Sequence, residues 1–357
     1  MGWWYLNVSV SELKEYILTN EKIEDVLQQL GCHHIAKHTS GNYISCGMPD
    51  GDNPKSITIY LDEYLSVVAY TRNIKDQYGG SDIISLVGFI NQESNFSINW
   101  KWLCDAVGID YYGKFDDEIP ESLKWTKWMV KSLEGDSEEE SEYLKPISEK
   151  ILTYYENRPH KILTDDGIPP EIQVLFEIGY DLDIHRITFP VRDEIGTLVG
   201  IKGRALYEWQ GDKYIYLERC AKSHILYGLW QNFEDIKKSD SVIVVESEKS
   251  VMKLYSYGYF NAVAIGGHQL SKIQVEKLSR LGVSEIIICY DEDAYRDKET
   301  GKIIKKDYKT EVSNFVSQQK VSIMIDKTRE FLKEKESPAD NQEVFETMFE
   351  KRIVVNH

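Results

Sequence analysis

Two acidic clusters that close apolar runs are the residues in this chain best suited to chemistry. SVIVV, at 241–245, stops at Glu246; EIIICY, at 285–290, stops at Asp291, with Glu292 and Asp293 following. Short, nearly all-apolar runs mark strands buried on both faces of a parallel sheet. In open α/β sheets the reactive groups sit beyond the carboxyl ends of such strands. A strand's period of two places Asp291 and Asp293 on one side if the chain stays extended there. Carboxylates converging on one edge repel unless a cation lies between them. Mg2+ suits such a place, because it takes oxygen ligands, keeps several waters and is completed by substrate phosphates. One or two ions can then activate an attacking oxygen and stabilise a leaving group in phosphoryl transfer. The plainer alternative is that these acids cap helices or pair with Lys249 and Arg296.

The elements that must hold these acids follow from the pattern around them. From Ser241 onward apolar runs alternate with helical periodicity: 241–245, a helix through Lys253 and Leu254, NAVAIGG at 261–267, a helix at 271–281, EIIICYD, a helix near 309–319, and VSIMID at 321–326. Four apolar strands separated by helices make βαβ units, which predicts an α/β fold with a doubly wound parallel sheet. Ahead of it, residues 146–240 mix one or two helices with strand-like segments, RITFPV and TLVGIKGRAL among them.

Residues 134–142 read EGDSEEESE, six carboxylates in nine positions. Such a block repels itself and stays solvated, the pattern of a linker. In front of it, Val10, Ile17, Ile23, Val26 and Leu27 have helical spacing, with Gly31 as a stop. Short β-rich runs are expected at 43–46, 56–61 and 66–71. GGSDIISLVGFI then predicts a helix capped by Ser81. Trp100, Trp102, Trp125 and Trp128 are expected to be packing residues rather than base-stacking platforms.

At 357 residues the chain has room for two or three domains. No run approaches the ~18 apolar residues of a membrane helix, and MGWWYLNVSV lacks a signal-peptide core. Five cysteines without a CxxC argue against a secreted disulfide scaffold, so a reduced, cytoplasmic location and no membrane partner are expected. The formal charge of −17 weighs at first against a nucleic-acid partner, since neutralising phosphates takes clustered Lys and Arg. Only local charge touches a ligand, however.

The stretch VIVVESEKSVMKLYSYGYFNAVAIGGHQLS…EIIICYDEDAY resembles the TOPRIM domain shared by bacterial-type DNA primases, type IA and II topoisomerases and related nucleases. Glu246 matches the family glutamate, Asp291 and Asp293 the DxD pair, and Gly266 and Gly267 the intervening turn. The resemblance implies Glu246, Asp291 and Asp293 as catalytic residues holding one to three Mg2+ or Mn2+ ions. A further ligand is expected at Asp340, or at Glu336. Ser250 stands where primases usually carry an aspartate. HRITFPVRDEIGTLVGIKGRAL and DKYIYLERCAKSHILYGL resemble the basic subdomain that precedes TOPRIM in those primases. This implies nucleotide or template binding by Arg192, Arg204, Lys213 and Lys222. Topoisomerases lack that subdomain.

YISCGMPDGDNPKSITI has the outline of the family's zinc-binding β-ribbon, but Asp50 stands in place of the expected His and no CxxC follows. Four N or S ligands are needed for structural zinc, so no zinc is expected, and Cys32, His33, His34, His38 and Cys46 are too irregularly spaced to improvise a site. The expected organisation is a degenerate zinc-ribbon-like, template-binding β-ribbon domain at 1–112, an acidic linker region at 113–145, an α+β basic subdomain at 146–240, TOPRIM at 241–330, and a helix and tail at 331–357. No Walker A pattern is present, so unwinding would fall to a separate replicative helicase. The reading is a compact, phage-type DNA primase acting on single-stranded DNA and NTPs, in a bacterial host cytoplasm if phage-encoded. A TOPRIM nuclease and a non-catalytic, primase-like replication factor are the alternatives.

Overall fold

The computed structural model describes residues 9–39, 41–70, 74, 80–112, 144–297, 303–304, 309, 311–313, 315 and 319–355. The acidic run at 134–142, Trp125 and Trp128 lie outside the described residues, as do 310, 314 and 316–318 in the segment at 309–319. The chain divides into two units, 1–144 and 145–357.

In the first unit, Ser9 opens helix α1 (Val10–Thr19) through a capping box: its hydroxyl accepts from the Glu12 amide at 3.2 Å, and the Glu12 carboxylate accepts from the Ser9 amide at 3.0 Å. Helix α2 (Ile23–Gln29) runs out at Gly31, whose φ of +77° is left-handed backbone suited to glycine. Four antiparallel strands follow in sequential order: β1 (His33–His38), β2 (Tyr43–Gly47), β3 (Ile57–Tyr60) and β4 (Val67–Ala69). Strand β1 was not expected, because HHIAKH offers little apolar alternation and its burial is only partial. Helices α3 (Ile83–Asn91) and α4 (Phe96–Ala106) follow. The cap of α3 is Asp82 rather than Ser81: its carboxylate accepts from the Ser85 amide at 2.9 Å and also receives the buried Lys14 ammonium at 2.7 Å. Trp100 is buried against Tyr111, as a packing residue should be.

The second unit begins with short helices α5 (Lys161–Asp165) and α6 (Pro170–Leu175) and an antiparallel sheet of β5 (Gly179–Asp181), β6 (Arg186–Arg192), β7 (Leu198–Ala205) and β8 (Tyr214–Glu218). Helix α7 (Leu229–Ser239) then leads into the second sheet: β9 (Ser241–Val245), α8 (Glu248–Ser256), β10 (Ala262–Ala264), α9 (Lys272–Ser279), β11 (Glu285–Ile288), β12 (Lys320–Ile323), α10 (Gln342–Glu350) and β13 (Ile353–Val355). The strand order is β10-β9-β11-β12-β13. The first four strands are mutually parallel, which gives the α/β class read from the apolar runs. The fifth, β13, pairs antiparallel with β12 through Val321–Val355 and Ile323–Ile353, where only a tail was expected. Val242, Val244, Ile286, Ile288, Val321 and Ile323 form the centre of its core. Each such side chain contributes about 1.5–3 kcal/mol on burial.

A buried ion pair fastens the β6–β7 turn to α9. Lys277 Nζ lies 2.7 Å from Glu194 Oε2, with both side chains almost fully enclosed, and also donates to the His224 carbonyl at 2.6 Å. Burial, reinforced by the Lys277 charge, pushes the His224 imidazole down to about 4. His224 therefore folds neutral. Its contribution to stability is full above the ordinary pKa near 6.5 and is lost as pH falls toward 4. An NMR titration of the eight histidines should show one imidazole with a midpoint near 4; a midpoint of 6 or above for His224 would contradict this burial.

Candidate active site

Glu246 and Asp291 stand just past the ends of the adjacent parallel strands β9 and β11, where the register Ile288–Val244 brings the two chains level. The Asp291 amide donates to Glu246 Oε1 at 3.0 Å. Gly266, with φ of +64°, turns the chain after β10, its amide donating to the Glu246 carbonyl at 3.0 Å, and exposed His268 then reaches Glu246 Oε2 at 3.0 Å. Burial, and then the Asp291 charge, hold the Glu246 carboxyl well above the usual carboxylate range. Burial likewise raises Asp291, as do the charges of Asp340 and Asp293, against a lowering contact from Ser337. In both, burial is the first cause and the neighbouring carboxylates add to it.

The chain does not stay extended after Asp291. The Ala294 amide bonds the Asp291 carbonyl at 3.1 Å and the Arg296 amide bonds the Asp293 carbonyl at 3.1 Å, so the segment is a turn. Asp293 is consequently exposed while Asp291 is half-buried, though its charge still reaches Asp291. Glu292 faces away into an ion pair with Arg296 and with Arg329 at 2.7 Å, a structural role.

Asp340, expected as a metal ligand, is instead held by lysine. Its Oδ1 lies 2.9 Å from Lys253 Nζ and 3.6 Å from Lys249 Nζ, while its Oδ2 accepts from the Ser337 amide at 3.2 Å. Those contacts keep its pKa low despite burial. The Glu336 amide and carbonyl are tied into the backbone, and its carboxylate accepts from the Lys333 amide at 2.8 Å. Ser250 serves the cap of α8, its hydroxyl 2.9 Å from that of Ser247. Glu248, also in the first turn of α8, is buried and takes both carboxylate bonds from Lys202 at 2.8 Å.

The four expected phosphate-binding cations divide. Arg192 is a correction: it is buried and spent on protein, bonding Glu149 at 2.7 and 2.9 Å, Glu177 Oε1 at 2.6 Å and the Gly196 carbonyl at 2.8 Å, with Trp230 against its guanidinium. Two carboxylates fork onto its donors, so none remains for a phosphate. Arg204 is the opposite case, with Nε and Nη1 buried and making no well-formed hydrogen bond, while its guanidinium interacts with the Tyr214 hydroxyl. Buried orphan donors each cost about 1–3 kcal/mol, and a site that tolerates them is suited to an incoming anion. Lys213 and Lys222 are exposed and form no salt bridge among the described residues.

Arg192→Ala should therefore lower stability by about 2–3 kcal/mol, less than a fully buried pair because Glu149 is partly solvated, and leave nucleotide affinity of the folded protein unchanged. Arg204→Met should do the reverse, weakening nucleotide and DNA binding with no loss of melting temperature. Thermal melts paired with fluorescent-nucleotide titrations check both; a stability loss in Arg204→Met would show that the guanidinium is structural.

Lys202 and Lys253 are site residues that sequence reasoning did not assign, and Lys249 was considered only as a partner of the strand-end acids. The signal available was their spacing: Lys202 shares a strand face with Arg204, and Lys249 and Lys253 share a helix face four residues apart.

The donors that Glu246 and Asp291 themselves present are oxygens, which fits a hard divalent cation that keeps its waters. Among the described residues, no group of three or more His, Cys, Asp or Glu side chains is arranged to hold a metal ion. In the first unit, the Cys32 and Cys46 thiols face one another, His33 is turned to the Gly51 carbonyl at 2.7 Å and His38 to Ser45 at 2.9 Å. Among the described residues no helix is long and apolar enough to cross a membrane.

The Toprim domain family matches residues 240–329. The chain is 35% identical over 260 residues to the DNA primase of Borreliella burgdorferi, covering 60% of this chain and 47% of that one. It is 29% identical over 375 residues to the SPbeta prophage-derived uncharacterized protein YorJ of Bacillus subtilis, covering 95% of each. The solved zinc-binding and RNA polymerase domains of the Aquifex aeolicus primase align with 96% of this chain and 86% of that one, at 18% identity and a TM-score of 0.47. The chain spans less than half the length of the curated primases it matches, 47% of the Borreliella protein and 20% of the Legionella pneumophila one. Residues 240–329 match the Toprim domain family, within a chain that is similar to bacterial DNA primases.

Proposed function

We propose that the chain is a DNA-directed RNA polymerase that makes short RNA primers on single-stranded DNA. The observation that carries this reading is one connected arrangement: the Glu246–Asp291 pair, the Lys202–Glu248 contact two residues further along, and, two residues from Lys202 on β7, the buried donors of Arg204 that make no well-formed hydrogen bond. Acids fit for a hard cation are thus joined to a guanidinium fit for a phosphate.

Glu246 and Asp291, with Asp293, would hold Mg2+ or Mn2+, which when bound supplies charge stabilisation at the phosphate and a more acidic attacking hydroxyl. Arg204, Lys213 and Lys222 offer donors to triphosphate oxygens or the template backbone. In the step itself, the 3′ oxygen of the growing strand bonds to the α-phosphorus of the incoming NTP. The bond to the bridging oxygen breaks, pyrophosphate leaves, and the hydroxyl proton is released to water. The similarity to a prophage-derived protein along 95% of both chains supports a phage-type form; a bacterial cytoplasm and a separate replicative helicase as partner are part of the proposal.

The test is synthesis: folded protein, single-stranded DNA, labelled NTPs and Mg2+ or Mn2+, with and without a replicative helicase. Oligoribonucleotides are expected, and their absence under every condition would refute the polymerase reading. A non-catalytic replication factor is the second reading, favoured by Ser250 and by the capture of Asp340 by Lys253, both of which thin the ligand set. Binding of single-stranded DNA and helicase without synthesis or cleavage would select it.

A further inference from the structure

We infer that Lys253, assisted by Lys249, supplies as a fixed ammonium the positive charge that a second divalent cation would otherwise bring to Asp340, so that the strand-end carboxylates take one divalent ion and not two. The inference rests on reading Glu246 and Asp291 as a cation site.

The acids around the strand ends fall into two groups. Asp340 is neutralised: Lys253 Nζ bonds its Oδ1 at 2.9 Å and its carbonyl at 3.2 Å, and Lys249 stands 3.6 Å from the same Oδ1 and 3.6 Å from Asp166. The Lys253 side chain is only 8% exposed, so its ammonium is a built part of the site and not a surface charge that happens to lie nearby. Glu248 is neutralised in the same way by Lys202, with side chains 6% and 14% exposed. The other group is Glu246, Asp291 and Asp293. Among the described residues, no lysine or arginine forms a salt bridge with any of the three, and Glu246 has only the exposed imidazole of His268.

Two-metal phosphoryl-transfer sites hold their ions about 3.5–4 Å apart and need carboxylates for both. Here a second ion could gain Asp340 only by expelling an enclosed ammonium, and Ser250 and Ser247 spend their hydroxyls on each other at the neighbouring turn. Lys249 and Lys253 lie one helical turn apart on α8, whose first residues follow Glu246 directly, so the strand that presents the metal-binding acid also leads into the helix that presents the substitute charge. Lys253 acts through Asp340 and the local charge, and is a positioning residue.

Counting Mn2+ bound to the full chain without nucleotide, from the loss of the free-ion EPR signal, tests this directly. One ion per chain is expected. Asp291→Asn should weaken it about tenfold or more, whereas Asp340→Asn should leave its affinity within about threefold. Lys253→Met, by uncovering Asp340, should raise the count to two; if that variant does not fold, the Asp340→Asn arm stands alone, with a melt to show that it is intact. Two ions on the unmodified chain, a tenfold loss in Asp340→Asn, or a count of one in folded Lys253→Met would each overturn the inference. No Mn2+ bound at millimolar concentration would refute the strand-end site itself and this inference with it. One bound ion without primer synthesis would refute only the polymerase reading.

Discussion

Asp291→Ala should lower primer synthesis by about a thousandfold or more without lowering the melting temperature. The two halves of that expectation have one cause. Asp291 is held above its ordinary pKa first by burial and then by the charges of Asp340 and Asp293, and its own charge raises Glu246 in turn. Removing it relieves repulsion in the metal-free protein, so the fold should gain or keep stability while the cation loses a ligand. Rates measured in Mg2+ and in Mn2+, beside a thermal melt in chelator, separate the effects. Full synthesis by the variant would remove Asp291 from the site, and a large fall in melting temperature would make it a structural residue.

Lys277→Met should destabilise the second unit by about 3–5 kcal/mol, close to 10 °C in melting temperature. Lys277 and Glu194 are among the most enclosed charges described, 6% and 4% exposed as side chains, and they connect the β6–β7 turn of the basic sheet with helix α9 of the Toprim domain. Methionine fills the space of the lysine stem but leaves Glu194 without its ammonium in a low-dielectric surround. The double variant Lys277→Met, Glu194→Gln should recover most of the loss, since the remaining amide carries no charge. It should also raise the pKa of His224, which burial and then Lys277 hold down. A single variant that melts within 1–2 °C of the parent would show that the pair contributes little.

Much of the second sheet was legible because its strands are buried on both faces and therefore nearly all-apolar. Val242 to Val245 are fully buried, the pattern of a strand covered on both faces of a parallel sheet. Strand β13 escaped notice for the complementary reason: Val354 is half exposed on an edge strand of three residues, too short for a pattern. The acids at the strand ends were legible because topology alone places them. Apart from Arg296, four residues from Glu292, and Lys249, their partners were not. Lys253 and Asp340 are 87 residues apart in sequence, Lys277 and Glu194 83, and Lys202 and Glu248 46, so nothing local links them. Arg192 and Arg204 show the limit most plainly. Both are arginines on neighbouring antiparallel strands of one basic sheet, yet one is enclosed by Glu149 and Glu177 and the other keeps two buried donors without a well-formed hydrogen bond. Residue type cannot distinguish a guanidinium that has been used from one that is waiting.

The acidity of the chain takes a different meaning once the charges are located. Glu248 is matched by partly buried Lys202, Asp340 by buried Lys253, Glu292 by two arginines, and Glu246, Asp291 and Asp293 are left together at the strand ends. A formal charge of −17 is thus compatible with a polyanionic ligand, provided that the contact is confined to a few cations such as Arg204, Lys213 and Lys222. Binding through three cations gives a shallow salt dependence, with a slope of about −2 in log K against log salt for single strands.

The most direct measurement is template-dependent ribonucleotide incorporation by the unmodified chain, compared with Asp291→Ala under identical conditions. The expected result is short oligoribonucleotides that require single-stranded DNA and a divalent cation and vanish in the variant. Product from the variant equal to that of the parent, or none from the folded parent with every metal and with helicase present, would contradict the assignment of Glu246 and Asp291 as the centre of a primer-synthesising site.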